Sequence, residues 1–188
     1  PTSGNDELRC AKTIIATFAR RAYRGAVTQE ELHRLLEFYK AGAKSGGFEA
    51  GIERALRRML ASPKFVFRVE AAPPGLARSA SPSVAYRISD IELASRLSFF
   101  LWSSIPDEEL LTLAEQGRLS QPAVLQRQVG RMMRDPHARA LVANFFGQWL
   151  YLRNLRPQEP NKKLYPEFDE SLRDAFTRET ELFLESQL

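Results

Sequence analysis

The sequence predicts an all-α protein, an irregular multi-helix fold of two helical subdomains with no significant sheet. Two patterns point that way. Apolar residues recur at the three- and four-residue spacing of a helix face along most of the chain, while alternating strand-like runs are nearly absent. Helix-start signatures also recur: Thr28-Gln-Glu-Glu31 and Ser89-Asp-Ile-Glu92 are capping boxes, in which a hydroxyl and a carboxylate satisfy each other's orphan backbone N–H groups. The 188 residues, 44% hydrophobic and 27% charged, are enough to bury a core and have an ordinary globular balance.

The first helix is expected from about Asp6 to Tyr23, with Leu8, Ala11, Ile14, Ile15, Phe18 and Ala22 on one face and Gly25 as its stop. The capping box at Thr28 opens a second, whose inner face is Leu32, Leu35, Leu36 and Tyr39. Ser45-Gly46-Gly47 breaks the chain. A third helix then carries Phe48, Ile52, Leu56, Met59 and Leu60. Ser62-Pro63 reads as an N-cap with proline in the first turn, leading into a short segment with Phe65, Phe67 and Val69. Proline, serine and alanine crowd residues 71–83, the one clear linker. It gives an N-terminal basic subdomain over 1–72, a linker over 73–84 and a C-terminal subdomain over 85–188.

Past the linker, Ser89 opens a helix with Leu93, Leu97, Phe100 and Leu101 inward. Pro106 suits a first helical position, with Asp107, Glu108 and Glu109 where the macrodipole favours negative charge; Gly117 closes that helix. Ser120 begins the next, carrying Val124, Leu125, Val129, Met132 and Met133. Asp135-Pro136 starts another that runs through Leu141, Val142, Phe145 and Phe146 to Trp149 and Leu150. Three prolines make Arg153 to Pro166 an irregular connection. The last helix places Phe168, Leu172, Phe176 and Phe183 near one stripe. The aromatic supply around Trp102 and Trp149 predicts a shared core with both indoles buried and hydrogen-bonded. No repeat of fixed period appears, which argues against a solenoid.

Several chemistries are excluded or reduced. The longest apolar runs, such as Ile14–Phe18 and Leu97–Trp102, are too short to cross a bilayer. No charged-then-apolar leader opens the sequence, and both ends read as cuts: Pro1–Asn5 as linker, Leu188 inside an amphipathic helix. A single cysteine, Cys10, rules out an internal disulfide and a Cys-x-x-Cys-His haem site; it either pairs outside this chain or sits as a small buried hydrophobe. Neither Gly-x-Gly-x-x-Gly, a P-loop nor Gly-x-Ser-x-Gly occurs.

The remaining candidates weaken on inspection. Glu30-x-x-His33 is half of a bundle-type di-iron motif, but its second half is missing: Arg134 stands three residues before the other histidine, His137. Glu30, His33, Glu37 and Lys40 share a solvated stripe opposite the leucines. No carboxylate is placed by spacing to orient His137. Asp169, Glu170, Asp174, Glu179, Glu181 and Glu185 alternate with Arg173 and Arg178, as on an exposed helix. The expectation is therefore no catalytic, cofactor-binding or metal-ligating residue in this chain, and no cofactor. Charge is uneven: 13 basic residues face 8 acidic ones up to Ala72, and 14 face 15 beyond. Arg20, Arg21, Arg24, Arg54, Arg57 and Arg58 supply most of the excess, read first as solvated helix faces and second as a surface for nucleic acid or another polyanion.

Specific runs also resemble known domains. Phe18-Ala-Arg-Arg-Ala-Tyr-Arg24 with Val27-Thr28, Gly47–Ile52 and Ser62–Glu70 resemble one domain of unknown function. Tyr86–Asp107, Asp135-Pro136, Asn144–Leu150 and Arg178–Phe183 resemble its usual partner. Together they are similar to the tandem planctomycete-type domains of large exported proteins, many of which also carry c-type cytochrome domains. One departure is Gly25-Ala26 where the family has a proline before Val-Thr. The resemblance implies export to the periplasm or cell surface, a longer parent chain and a second domain truncated at Leu188; it brings no catalytic residue. It suggests a non-catalytic structural or interaction module whose partners are other domains of the same polypeptide, possible cytochrome domains among them. The alternatives are an oxidoreductase component whose cofactor lies outside this chain, with His33, His137 or a methionine as an outer ligand, and polyanion binding by the basic half.

Overall fold

The computed structural model describes residues 4–67 and 86–188; the 73–84 linker and Val69 lie outside them. The fold is all-α as predicted, and among the described residues there is no strand. The helices are α1 (Gly4–Ala22), α2 (Gln29–Leu60), α3 (Pro63–Val66), α4 (Asp90–Trp102), α5 (Glu108–Glu115), α6 (Pro122–Arg134), α7 (Gly147–Trp149) and α8 (Glu170–Gln187). Two packing units emerge, and neither follows the chain in one piece. The first comprises 1–95 with 105–121, the second 96–104 with 122–188, so α4 supplies residues to both.

In the first unit α1 packs on α2 through Ala11, Ile15, Ala19 and Ala22. Ala11, Ile15 and Ala22 lie on the predicted face, but Leu8 and Phe18 point to solvent, because a stripe of alanines lets the helices approach more closely than the larger side chains would. Opposite stand Leu32, Leu35, Tyr39, Ala55 and Met59, with Phe48, Ile52, Leu56 and Phe65 partly buried around them. The Thr28–Glu31 capping box forms as expected. The predicted break also forms, inside α2: Gly46 and Gly47 leave helical geometry, and Gly47 has φ +77°. Either side of this kink the two arms of α2 nearly touch, since a Cβ on Gly42 would stand 2.5 Å from the Ala50 carbonyl oxygen and one on Gly51 2.7 Å from the Tyr39 ring. Ser62 caps α3 with Pro63 in its first turn. Helix α5 is capped by the Asp107 carboxylate, which accepts from the Leu110 N–H at 2.9 Å; Pro106 therefore precedes the cap rather than opening the helix.

The second unit departs further from expectation. The helix predicted from Asp135 to Leu150 forms as one run of helical turns, but it opens as a 3₁₀ turn at Pro136–Ala138 and takes π geometry at Leu141–Phe146 before the short α7. In a π-helix each turn takes in an extra residue, so the 3.6-residue register that would stack Leu141, Phe145 and Trp149 on one buried face is lost. Leu141 and Val142 are buried, but Phe145 and Trp149 are not. Helix α4 is likewise rotated from its predicted face: Ala94, Ser98, Leu101 and Trp102 are buried, and Phe100 is exposed. The expected two-indole core is thus half correct. Trp102 is 7% exposed and donates Nε1–H to the Met132 carbonyl at 2.9 Å, whereas Trp149 is 64% exposed.

Helix α8 starts from Asp169, whose carboxylate accepts from the Leu172 N–H at 2.8 Å. Arg173, read from sequence as surface decoration, is buried. Its guanidinium reaches back to the carbonyls of Leu155 and of Gln158, the latter at 2.7 Å, and lies over the Phe168 ring. An irregular connection needs donors for its carbonyls, and a buried arginine supplies several from one side chain.

Candidate functional site

Two places stand out, one in each unit. The first is built around the end of α1. The Gly25 N–H bonds the Arg20 carbonyl at 3.0 Å and the Arg24 N–H bonds the Arg21 carbonyl at 3.2 Å, which is the Schellman pattern of helix termination. The left-handed residue in it is Arg24, at φ +59°, one position before the glycine that the sequence marks as the stop. A non-glycine side chain held there signals a second role for that side chain. Arg24 is 8% exposed, and its guanidinium donates to the carbonyls of Lys64 at 2.7 Å, Phe67 at 2.8 Å and Phe65 at 3.2 Å. These are the orphan carbonyls at the end of α3, where a cation is also favoured by the helix dipole. The Lys64 ammonium in turn pairs with Glu31. Burial pushes the Glu31 carboxyl up, but the bonds from Lys64 and the Thr28 N–H outweigh it and hold the carboxyl below its usual range.

Beside this knot lies a cleft of about 560 Å³, with apolar walls from Tyr23, Pro63, Phe67 and Ile91 and the charged Arg24, Lys64 and Glu92 also on its lining. Gly25 sits so close to Ile91 that a Cβ would come within 3.1 Å of its Cγ2 atom. Ser95 lines the cleft too; it is 5% exposed and its Oγ has no hydrogen-bond partner. In the same unit Arg20 is fixed by carboxylates, with Nε and Nη2 on the two oxygens of Glu115, each at 2.9 Å, and Nη1 on Glu108 at 2.6 Å. The Glu115 bonds, ahead of those from Glu108, push the Arg20 guanidinium further above its already high ordinary pKa despite its partial burial. Arg20 and Arg24 are therefore internal ties, which corrects their reading as solvated charge. Elsewhere in the unit, Arg57 pairs with Glu53 at 2.5 Å and Arg58 lies over the Phe38 ring.

The second place is an aromatic ledge on the second unit. Phe99, Phe100, Phe145 and Trp149 line a shallow hollow with Ser103, Asn144 and Gln148. Phe145 meets Phe100 edge-on at 5.3 Å between ring centroids and stacks with Trp149 at 6.0 Å. Asn144 donates to the Ser103 hydroxyl at 2.7 Å and accepts from Arg153 at 2.9 Å, forming a polar chain along one edge. Ser103 and Tyr151 both have left-handed backbones, φ +51° and +56°. The π-helical segment Leu141–Phe146 lies between these two left-handed positions in sequence.

The residues singled out from sequence are dispersed. His33 is exposed, as expected, 3.8 Å from Glu37. Cys10 is exposed, so its reading as a buried hydrophobe falls. His137 does have an orienting carboxylate, contrary to expectation: Asp135 Oδ1 contacts its Nδ1 at 2.5 Å and accepts its backbone N–H at 2.9 Å. The Trp102 ring lies 5.6 Å from that imidazole. On α8, Arg178 reaches Glu181 at 3.3 Å and Glu185 at 3.7 Å. Among the described residues no three His, Cys, Asp or Glu side chains converge as a metal site, and no helix is long and apolar enough to cross a membrane. Sequence reasoning missed Arg24, Ser95 and the Asp135–His137 contact. Arginine in place of glycine at a helix end was the signal for the first, and the two-residue spacing of an Asp turn for the third.

The fold and these two places describe a helical protein of two units, with a cleft on the first and an aromatic ledge on the second. The chain belongs to the PSD4 family of proteins of unknown function (DUF1592), which it matches over residues 88–188. Residues 10–70 match a second family of unknown function, PSD5 (DUF1595). Both matched regions contribute walls to the cleft of the first unit. No curated protein and no solved structure matches the chain.

Proposed function

We propose that this chain is a non-catalytic structural and interaction module of a larger exported, cytochrome-linked polypeptide, and that it docks a c-type cytochrome domain of that polypeptide on its aromatic ledge. The observation that carries the proposal is the exposure of Trp149 beside Phe100 and Phe145. Clustered exposed aromatics mark interaction sites, and tryptophan is among the side chains that most often dominate them. The family resemblance supplies the partner and the exported setting. The internal use of Arg20 and Arg24 removes two arginines from the alternative polyanion-binding surface.

Photo-crosslinking tests the reading. With a benzophenone amino acid replacing Trp149 in the full-length polypeptide, adducts should map to a cytochrome domain. Adducts confined to a second copy of this chain, or no adduct, would overturn the docking. Fractionation that leaves the polypeptide in the cytoplasm would overturn the exported setting.

A further inference from the structure

We infer that the groove between the two arms of α2 binds the phosphate-monoester group of a small molecule, held by Arg54 and Arg58. The inference is independent of the aromatic ledge. It starts from charge that the fold gathers and leaves unbalanced. Because α2 kinks at Gly46–Gly47, its second arm folds back on its first. Phe38 and Ser45 of the first arm then face Glu53, Arg54, Arg57 and Arg58 of the second across a groove of about 470 Å³. Three arginines against one glutamate leave it doubly positive. Glu53 pairs with Arg57 at 2.5 Å, and the Arg58 guanidinium lies over the Phe38 ring at 5.7 Å. Among the described residues neither the Arg54 nor the Arg58 guanidinium has an ion pair or a hydrogen bond. They stand one helical turn apart, where like charges repel. Arg20 and Arg24 of the same unit are by contrast fully tied to carboxylates and carbonyls.

Guanidinium forks match the oxygens of carboxylates and phosphates, and the charge selects between these. Two unbalanced cations suit a group that carries close to two negative charges at neutral pH, as a phosphate monoester does and a carboxylate does not. The Phe38 ring and Ala50 supply an apolar wall for the organic part. Ser45 donates its hydroxyl to the Gly42 carbonyl at 2.9 Å, so recognition falls to the arginines. The width of the groove is set before any ligand arrives. A Cβ on Gly42 would stand 2.5 Å from the Ala50 carbonyl oxygen, so the arms already touch at its floor.

Phenyl phosphate and benzoate, which share a ring but differ in anionic charge, test this on the 188-residue chain by NMR of the arginine Nε–H groups. Phenyl phosphate should shift the Arg54 and Arg58 signals and bind about fivefold more tightly than benzoate, the difference of one partly exposed ion pair. Its affinity should fall between about pH 7.5 and about pH 5, because a phosphate monoester loses its second charge near pH ~6. Arg54→Gln and Arg58→Gln should each weaken it about fivefold. Arg21→Gln, at an exposed position outside the groove, should leave it unchanged. No shift at Arg54 and Arg58, equal affinity for benzoate, or an equal loss in Arg21→Gln would each overturn the inference. So would displacement of phenyl phosphate by an oligothymidylate at equal phosphate concentration, since its singly charged diesters would mark a nucleic-acid surface instead.

Discussion

Arg20 and Glu115 form a two-point pair, Nε and Nη2 of the guanidinium each donating to one carboxylate oxygen at 2.9 Å across 95 residues of sequence. Both side chains are about a quarter exposed, so solvent screens the pair only in part. Its geometry joins the end of α1 to the end of α5 within the first unit. In a double-mutant cycle of Arg20→Gln with Glu115→Gln, a coupling of about 1 kcal/mol is expected, at the upper end for partly exposed pairs and reduced by salt. Denaturant melts at low and high ionic strength measure it.

Arg24 should not tolerate lysine. Lysine keeps the charge but cannot span three carbonyls with a planar fork. Arg24→Lys is expected to cost about 1.5–3 kcal/mol, as a lost charge-assisted network at a buried position. A variant that melts with the natural protein would show that the carbonyls of residues 64, 65 and 67 need no such donor.

The two tryptophans should behave oppositely. Trp102→Ala removes a buried ring and its bond to the Met132 carbonyl, and about 3–5 kcal/mol should be lost. Trp149→Ala removes a largely exposed ring and should change stability by about 0.5 kcal/mol or less. Thermal unfolding followed by circular dichroism separates the two.

Gly42→Ala and Gly51→Ala should each destabilise the first unit by about 1–3 kcal/mol through overpacking. Their added Cβ atoms would press on backbone oxygen at 2.5 Å and on the Tyr39 ring at 2.7 Å, with backbone behind both contacts. Gly130→Ala is the control, because its nearest neighbour would be the mobile end of the Arg134 side chain at 3.8 Å.

Asp135 should titrate low. The His137 backbone N–H, then its imidazole, hold the carboxyl below its usual range. Since the folded pKa is depressed, the stabilisation is complete above the unfolded value of about 3.9 and fades as pH falls through the folded one. Carboxyl-detected NMR should place the Asp135 midpoint below about 3.9. Asp135→Asn keeps the cap without the charge, so its stability should fall less steeply below about pH 4.

How much of this the sequence determined by itself divides along physical lines. Local chemistry was legible. The capping boxes at Thr28 and Ser89 rest on atoms three residues apart, and both form. The break at Gly46–Gly47 rests on glycine's freedom to adopt φ near +77°, and the all-α class on the period of the apolar residues. What tertiary structure decided was how the inner faces of α1 and α4 are turned. Periodicity gives a stripe, but alanines pack as readily as phenylalanine when close approach of helices is favoured. So Ala19 and Ala94 went inward while Phe18 and Phe100 stayed out. The π-helical turn at Leu141–Phe146 carries no spacing signal of its own, and in the stretch that contains it Phe145 and Trp149 stand exposed rather than in the core. The burial of Arg24 and Arg173 was equally invisible, because the carbonyls they hold lie 40 to 43 and 15 to 18 residues away in sequence. An arginine reads as surface until the fold brings it backbone oxygens that nothing else can satisfy.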